Sequence, residues 1–489
     1  MKSGSNMPDG ERDEGHEKET REIEKDTREI EKDTRERRTM LWSRGYSVRK
    51  DVLTASELSQ VKKELTFQPR GHPDYPVPAK FEGFRETAKW LRVPRHYGQT
   101  RFGRPDTMVI SEHPRDLRVT GPALRDYQAG VVEKVIGHLR TQHCGMLSLY
   151  TSWGKTFGAL HIAAALGQRT VIFVHKSQLL VQWMQETEKV LPAARVAVIQ
   201  GTKRSVDDDV DIVIAMIQTV LNMDTFPAVF GFAIVDECHH IAAETFSTIF
   251  DKVTTKYAMG LSATVNRKDG LTKVLHHHLG PLVVDVQADT RDRVATVFVL
   301  DYDTAPTGRS PVERTAALVA DEERNELITR TLLHMFHSDR DNLRKLLILS
   351  DRREHAAHFH KALTERQGSK TVGLYLGGMK NDALEAAKLK DVICSTYTMF
   401  GEGISVKQLN TLVMLTPKGD VCQVMGRIFR QTHAIRPWIV DIVDRTYEGK
   451  LRSRMKTYKG QLSEFRTVRC GLSNQMNWEA IDIRPPPRT

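Results

Sequence analysis

Two short runs in this chain hold residue types suited to nucleotide chemistry. Gly154-Lys155-Thr156 follows the apolar run MLSLY at 146–150 and precedes FGALHIAAAL, with Gly167 as a helix stop. A strand, a loop and a helix N-terminus in that order favour phosphate, because unpaired backbone N–H groups and the helix dipole point at the anion. In such a loop Lys155 can reach the β- and γ-phosphates of ATP and the Thr156 hydroxyl can ligate Mg²⁺. Leu149 stands where the first glycine of a G-x-x-x-x-G-K-[ST] loop would be, and Ser152-Trp153 fills positions that are often small. Asp236, 81 residues after Lys155, opens the run Asp236-Glu237-Cys238-His239-His240 behind the apolar run FAIV at 232–235. A carboxylate at the C-terminal end of a parallel strand can hold the metal of a nucleotide bound on the neighbouring loop, and the next can polarise the attacking water. Asp236 and Glu237 divide those roles.

Positioning such groups takes a parallel sheet. From about residue 121 the chain repeats a short apolar run, a polar turn and a helical stretch: MLSLY, TVIFVH (170–175), DIVIAMI (211–217), FAIVDE (232–237) and YAMGLSAT (257–264). A second series begins near 345 with KLLILS, VGLYL, DVICST, TLVMLTP and WIVDIVD. Alternation of this kind predicts parallel sheets covered on both faces. The expected fold class is therefore α/β, with two tandem parallel-sheet domains over 121–295 and 296–470, a small N-terminal accessory domain over 40–120, and a C-terminal tail over 471–489.

The 489 residues are 40% hydrophobic, enough for ordinary buried cores. No apolar run approaches the ~18 residues that span a bilayer, and the charged N-terminus has no apolar segment behind it. A membrane protein is excluded on this reading, and an intracellular location is expected. Five scattered cysteines without a CxxC encode neither a disulfide framework nor a structural zinc site. The period-seven repeat TREIEKD at 20–26 and 27–33 has one apolar residue per repeat where a coiled-coil seam wants two, so residues 1–39 read as a charged, disordered tail. That tail holds ten basic and thirteen acidic side chains, which leaves +13 on residues 40–489 within an overall charge of +10. Such a balance favours nucleic acid as partner.

The order of motifs resembles that of superfamily 2 DExH-box helicases, with two RecA-like domains. LRDYQ (124–128) is similar to the element preceding the phosphate loop, where Gln128 would read adenine. The resemblance assigns Gly154, Lys155, Thr156, Asp236 and His239 to the nucleotide and its Mg²⁺, with Thr156 and Asp236 as the metal-side ligands. VHKSQLLVQW (174–183), with Lys176 and Gln182 at its ends, and IAMIQTV (214–220), with Gln218 and Thr219, look like track-binding motifs. So do Ser350 in SDRREH and Thr396 in STYTMFGEGISV. Ser262 and Thr264 of GLSAT, with Gly403, would couple nucleotide state to the nucleic-acid face. QVMGRIFR (423–430) would supply Gln423 beside the γ-phosphate and Arg427 and Arg430 as arginine fingers. A guanidinium delivered from a second domain completes a phosphoryl-transfer site only on closure, which ties hydrolysis to cleft motion.

Within the superfamily, GLSATVNRKDGLTKV, RGYSVRK, PRHYG and IVDIVDR resemble the helicases of large nucleocytoplasmic DNA viruses, the poxvirus transcript-release helicase being the type. Val265 stands where a proline usually follows the SAT triplet. The resemblance implies a monomeric ATP hydrolase moving 3′ to 5′ on single-stranded or partly duplex DNA, in viral transcription or repair beside the transcription machinery. It implies the host cytoplasm or nucleus, or the virion, as location. RNA as the track, or a nucleic-acid-binding scaffold with weak ATPase, are the competing readings.

Three features stand outside that set. LRVPRHYGQTRFGR mixes arginines with Tyr97 and Phe102 as a single-strand contact would, but reads first as a packed connector. His276-His277-His278 and His355, His358 and His360 lack a carboxylate or cysteine at metal-ligand spacing and carry no metal assignment. Arg445, Lys450, Arg452, Arg454, Lys456 and Lys459 form a basic segment that fits a solvated helix face and a nucleic-acid track equally.

Overall fold

The computed structural model describes residues 38–473 apart from 43–44, 70–78, 111, 151–152, 228, 242, 254, 264–269, 288–292, 304–306, 340, 367–368 and 401–405. The heptad tail, Thr264 and Gly403 lie outside the described residues.

Every position of the strands Thr170–Val174, Ile212–Met216 and Phe232–Val235 is buried, as a parallel sheet with helices on both faces requires. They belong to a seven-stranded, all-parallel sheet in the order Val196–Ile199, Ile212–Met216, Thr170–Val174, Phe232–Val235, Tyr257–Ser262, Cys144–Leu149, Leu282–Val286. Helices Asp126–Gln142, Lys155–Leu166 and Ser177–Val190 bury Leu139, Leu160 and Trp183 against one face. Phe246 and Leu275, from helices Ala243–Lys252 and Thr272–Leu279, cover the other.

The second lobe repeats this plan. Its seven parallel strands run Val372–Tyr375, Val392–Thr396, Leu346–Ser350, Thr411–Met414, Trp438–Asp444, Val294–Tyr302, Glu464–Gly471. Apolar cores lie on both sides of it, one holding Ile428 and Tyr458 and the other Phe336 and Phe359. Two α/β lobes in tandem are therefore what the chain folds into. Among the described residues no helix is long and apolar enough to cross a membrane.

The N-terminal segment forms a mixed five-stranded sheet in the order Arg85–Glu86, Trp90–Val93, Gly45–Arg49, Thr39–Trp42, Thr107–Val109, only the last pair being parallel. Its core is continuous with the first lobe: Phe67 and Tyr97 cluster with Leu271 and Val274. Arg95, buried at the start of helix Arg95–Phe102, donates from Nη1 to the carbonyls of Thr255 and Lys256 at 2.8 and 2.9 Å. Tyr97 donates to Glu64 at 2.5 Å. The arginine and tyrosine at the head of the LRVPRHYGQTRFGR stretch are thus connector residues. Past Val109 the chain straps along the first lobe, with Arg115 N bonded to Gly167 O at 2.9 Å and Thr120 N to Val190 O at 3.3 Å.

Candidate active site

The phosphate loop turns into its helix at Gly154, where φ is +94° and a Cβ would come within 2.7 Å of Gln128 Nε2. Only glycine fits that approach. Trp153, the bulky residue of the loop, is buried with its indole over Gly158, so its ring packs into the lobe's core. Gln128 is buried too, and acts as a strut: Nε2 donates to Trp153 O at 2.8 Å and Oε1 accepts from Arg125 N at 3.1 Å. Its amide thus supports the loop from inside the lobe.

Strand Phe232–Val235 delivers Asp236 and Glu237 opposite that loop. Glu237 takes a left-handed φ of +47°, uncommon for a side chain of its size, and accepts from Lys155 Nζ at 2.5 Å. Asp236 accepts from Trp183 Nε1 and from Glu237 N, both at 2.9 Å. Burial and the neighbouring Glu237 push the Asp236 carboxyl up to about 6. Burial opposes ionisation of Glu237 as well, but Lys155 and His239 outweigh it and hold that carboxyl below its ordinary value. Burial opposes the charge on the Lys155 ammonium, but the neighbouring Glu237 and Asp236 carboxylates keep it above its ordinary value. Gln182 donates to the Thr156 hydroxyl at 3.2 Å. Thr156 and Asp236 are hard oxygen donors that fit Mg²⁺, and the raised Asp236 carboxyl marks a negative charge that a nearby cation would stabilise.

A cleft of about 850 Å³ separates the lobes here. Lys155, Thr156, Asp236 and Glu237 line one wall and Gln423, Arg427 and Arg430 the other. Arg427 is buried on the short helical turn Gly426–Phe429. Burial lowers the Arg430 guanidinium to about 10, and its Nε has no hydrogen-bond partner among the described residues. An arginine that is desolvated and faces a cleft is prepared for an anion.

Ser262, at the end of its strand, places Oγ 2.8 Å from His239 Nδ1, and His239 lies 3.4 Å from Glu237 Oε2. The coupling candidate and the acidic pair are therefore one connected group. On the track side, Lys176 Nζ crosses between lobes to Thr398 O at 3.4 Å, and the exposed Gln218 donates to His175 O at 3.3 Å. Three further candidates for track contact are buried. Ser350 is fully buried and bonds His355 Nδ1 at 3.0 Å; Thr219 accepts from Gly201 N at 3.0 Å; Thr396 accepts from Met399 N at 3.2 Å. Their hydroxyls brace the loops from inside. Of the histidine runs, His278 and His355 are buried, His278 bonding Ser247 at 3.2 Å and His355 bonding Asn325 at 2.9 Å.

Residues 122–267, which contain both the phosphate loop and the acidic pair, match the family described as "Type III restriction enzyme, res subunit". A protein of Acanthamoeba polyphaga mimivirus named as an ATP-dependent RNA helicase is 29% identical over 441 residues, covering 85% of this chain and 84% of its own. The chain is thus similar to ATP-dependent helicases of viral type. An African swine fever virus protein, also named as an ATP-dependent RNA helicase, is 27% identical over 77% of this chain and 81% of its own length. One from Escherichia phage T5, named as a helicase, is 29% identical over 63% of this chain and 70% of its own. In fold the chain is similar to an HsdR subunit fragment of a type I restriction enzyme from Vibrio vulnificus, with a TM-score of 0.51 and 16% identity over 71% of this chain and 69% of that one. It also matches a Type ISP restriction-modification enzyme, with a TM-score of 0.50 and 16% identity, over 72% of this chain but 32% of that longer one.

Sequence reasoning missed some of what surrounds the cleft. Trp183 was visible only as the end of VHKSQLLVQW, and nothing in its spacing announces a bond to Asp236. His240 closes a group with Glu237 and His239 whose ligand atoms lie within 4.8 Å of one another, although two imidazoles make it unlike the oxygen shell of Mg²⁺. Tyr375, Lys388 and Lys407 reach the cleft from the second lobe without any local signal.

Proposed function

We propose that this chain is a helicase that hydrolyses ATP between its lobes and uses the cycle to move 3′ to 5′ along DNA. The observation that carries the reading is the position of Arg427 and Arg430, on the cleft wall opposite Lys155, Asp236 and Glu237. Lys155 and the backbone at Gly154 hold the phosphates, and Gln128 supports the loop that receives them. A Mg²⁺ held by Thr156 and Asp236 would neutralise charge on the phosphates. Glu237 orients the attacking water once a phosphate competes for Lys155. Gln423, Arg427 and Arg430 engage the transferring phosphoryl group when the lobes close, because developing charge on its oxygens is what a guanidinium stabilises. Ser262 and His239 pass the change to the track face, where Lys176 and Gln218 stand. Retention of both acidic residues and both arginines favours a working motor over a scaffold with weak ATPase.

RNA as the track is the second reading, favoured by the names of the mimivirus and swine fever virus relatives. Contacts made mainly to phosphates discriminate weakly between the two. Unwinding of partial duplexes with defined overhangs, in DNA and in RNA, tests the proposal. ATP-dependent opening of the 3′-tailed DNA substrate is expected, whereas activity on RNA alone overturns the choice of track.

A further inference from the structure

Strand Trp438–Asp444 carries two buried carboxylates, Asp441 and Asp444, each about 1% exposed. Both face a buried arginine from another element. Arg324, on helix Glu322–Ser338, binds Asp444 through Nε at 2.8 Å and Nη2 at 3.1 Å. Arg454, on helix Glu448–Gln461, binds Asp441 through Nε at 2.7 Å, and Tyr458 donates to the same Oδ2 at 3.1 Å. The arginine taken from sequence as part of a basic surface segment is therefore interior, which corrects both readings of it. Each guanidinium then spends a further contact on one loop: Arg324 Nη2 on Leu415 O at 2.7 Å, and Arg454 Nη1 on Lys418 O at 2.6 Å.

That loop leads directly into the segment bearing Gln423, Arg427 and Arg430. Buried ion pairs are weak evidence for stability, because desolvating two charges offsets most of their attraction, and what they supply best is a fixed geometry. Apolar side chains could fill the same volume, but they could not hold two loop carbonyls. We infer that Arg324–Asp444 and Arg454–Asp441 form a clamp that positions the arginine segment for phosphoryl transfer. The inference rests on the proposed ATPase. Arg324, Arg454, Asp441 and Asp444 are positioning residues, and none of them lines the cleft.

The test is Arg454→Met/Asp441→Asn in the full chain, which removes both charges and leaves Tyr458 an acceptor. ATP turnover, KM for ATP, ADP affinity, affinity for ADP with aluminium fluoride, and melting temperature are measured. The expected result is kcat lowered at least about tenfold, the loss that misplacing a reacting group brings. Affinity for the transition-state mimic should fall alongside it, with KM, ADP affinity and melting temperature near wild type. A purely structural pair would lower the melting temperature and ADP affinity together, and would not single out the fluoride complex. Should the double variant fail to fold, Asp351→Asn/Lys418→Met loosens the same loop from its half-exposed side, where Lys418 Nζ meets Asp351 at 3.0 Å. The same selective loss is expected there. Wild-type kcat in whichever variant folds overturns the inference, while absent turnover in the wild type itself would instead remove the reading beneath it.

Discussion

The Lys155 ammonium lies 2.5 Å from Glu237 Oε1, so the lysine that would grip phosphate and the carboxylate that would handle water are paired with each other. A triphosphate must compete for that lysine, and its success releases Glu237 toward the water. Exchange of one anion for another on the same cation links occupancy to the readiness of the base.

Glu237→Gln keeps the side-chain shape and removes the charge, so this variant should bind ATP at least as well as the parent. Turnover should fall by about 10²-fold or more, the usual loss of a general base. Equilibrium nucleotide binding and steady-state hydrolysis decide it; normal turnover would take Glu237 out of its role.

Arg430 is partly buried, and no carboxylate shifts its charge. Truncation to Ala should leave the melting temperature unchanged or slightly raised, since an unpaired desolvated charge destabilises a fold. Turnover should drop about 10³-fold, as loss of an arginine finger does. DNA affinity should not change. Calorimetry, hydrolysis and a DNA-binding titration together check the pattern, and a wild-type rate would contradict it.

Ser262→Ala removes the 2.8 Å contact to His239 without touching the acid pair. Unwinding should fall more than ATP hydrolysis, by a coupling of ~0.5–2 kcal/mol. Equal losses in both assays would mean that Ser262 supports the site without linking it to the track.

Two interior histidines set the acid limit of the fold. Burial brings His278 and His355 down to about 3, against ~6.5 in an unfolded chain. Between those values the unfolded chain binds the extra proton, so stability falls as pH drops below about 6.5, by ~1.4 kcal/mol per pH unit for each imidazole. Denaturant unfolding from pH 7 to 5 should show that decline, with a shallower slope in His278→Asn. An identical slope in the variant would contradict the assignment.

Local chemistry was what the sequence exposed. Interior strands such as Phe232–Val235 and Trp438–Asp444 are apolar at nearly every position because both faces are covered, and they stand out from their flanks. Edge strand Glu464–Gly471 passed unnoticed, since its half-exposed positions carry polar residues that blur the pattern, and Val196–Ile199 is apolar but only four residues long. In the site, Lys155 and Asp236 were legible from their place at strand ends. Burial was not: Ser350, Thr396 and Arg454 have residue types that suit a nucleic-acid surface, and only the packing of distant helices turns them inward. Trp153 is the converse case. It reads as an obstruction in a phosphate loop, yet Gly158 opens a place for the ring in the core.

The most direct test of the account is steady-state ATP turnover, with and without single-stranded polynucleotide, in the wild type and in Lys155→Ala. A motor built on this cleft should hydrolyse ATP, should accelerate severalfold or more when polynucleotide is added, and should lose both rates with the lysine. A wild-type rate indifferent to polynucleotide, or one that survives the loss of Lys155, would contradict it.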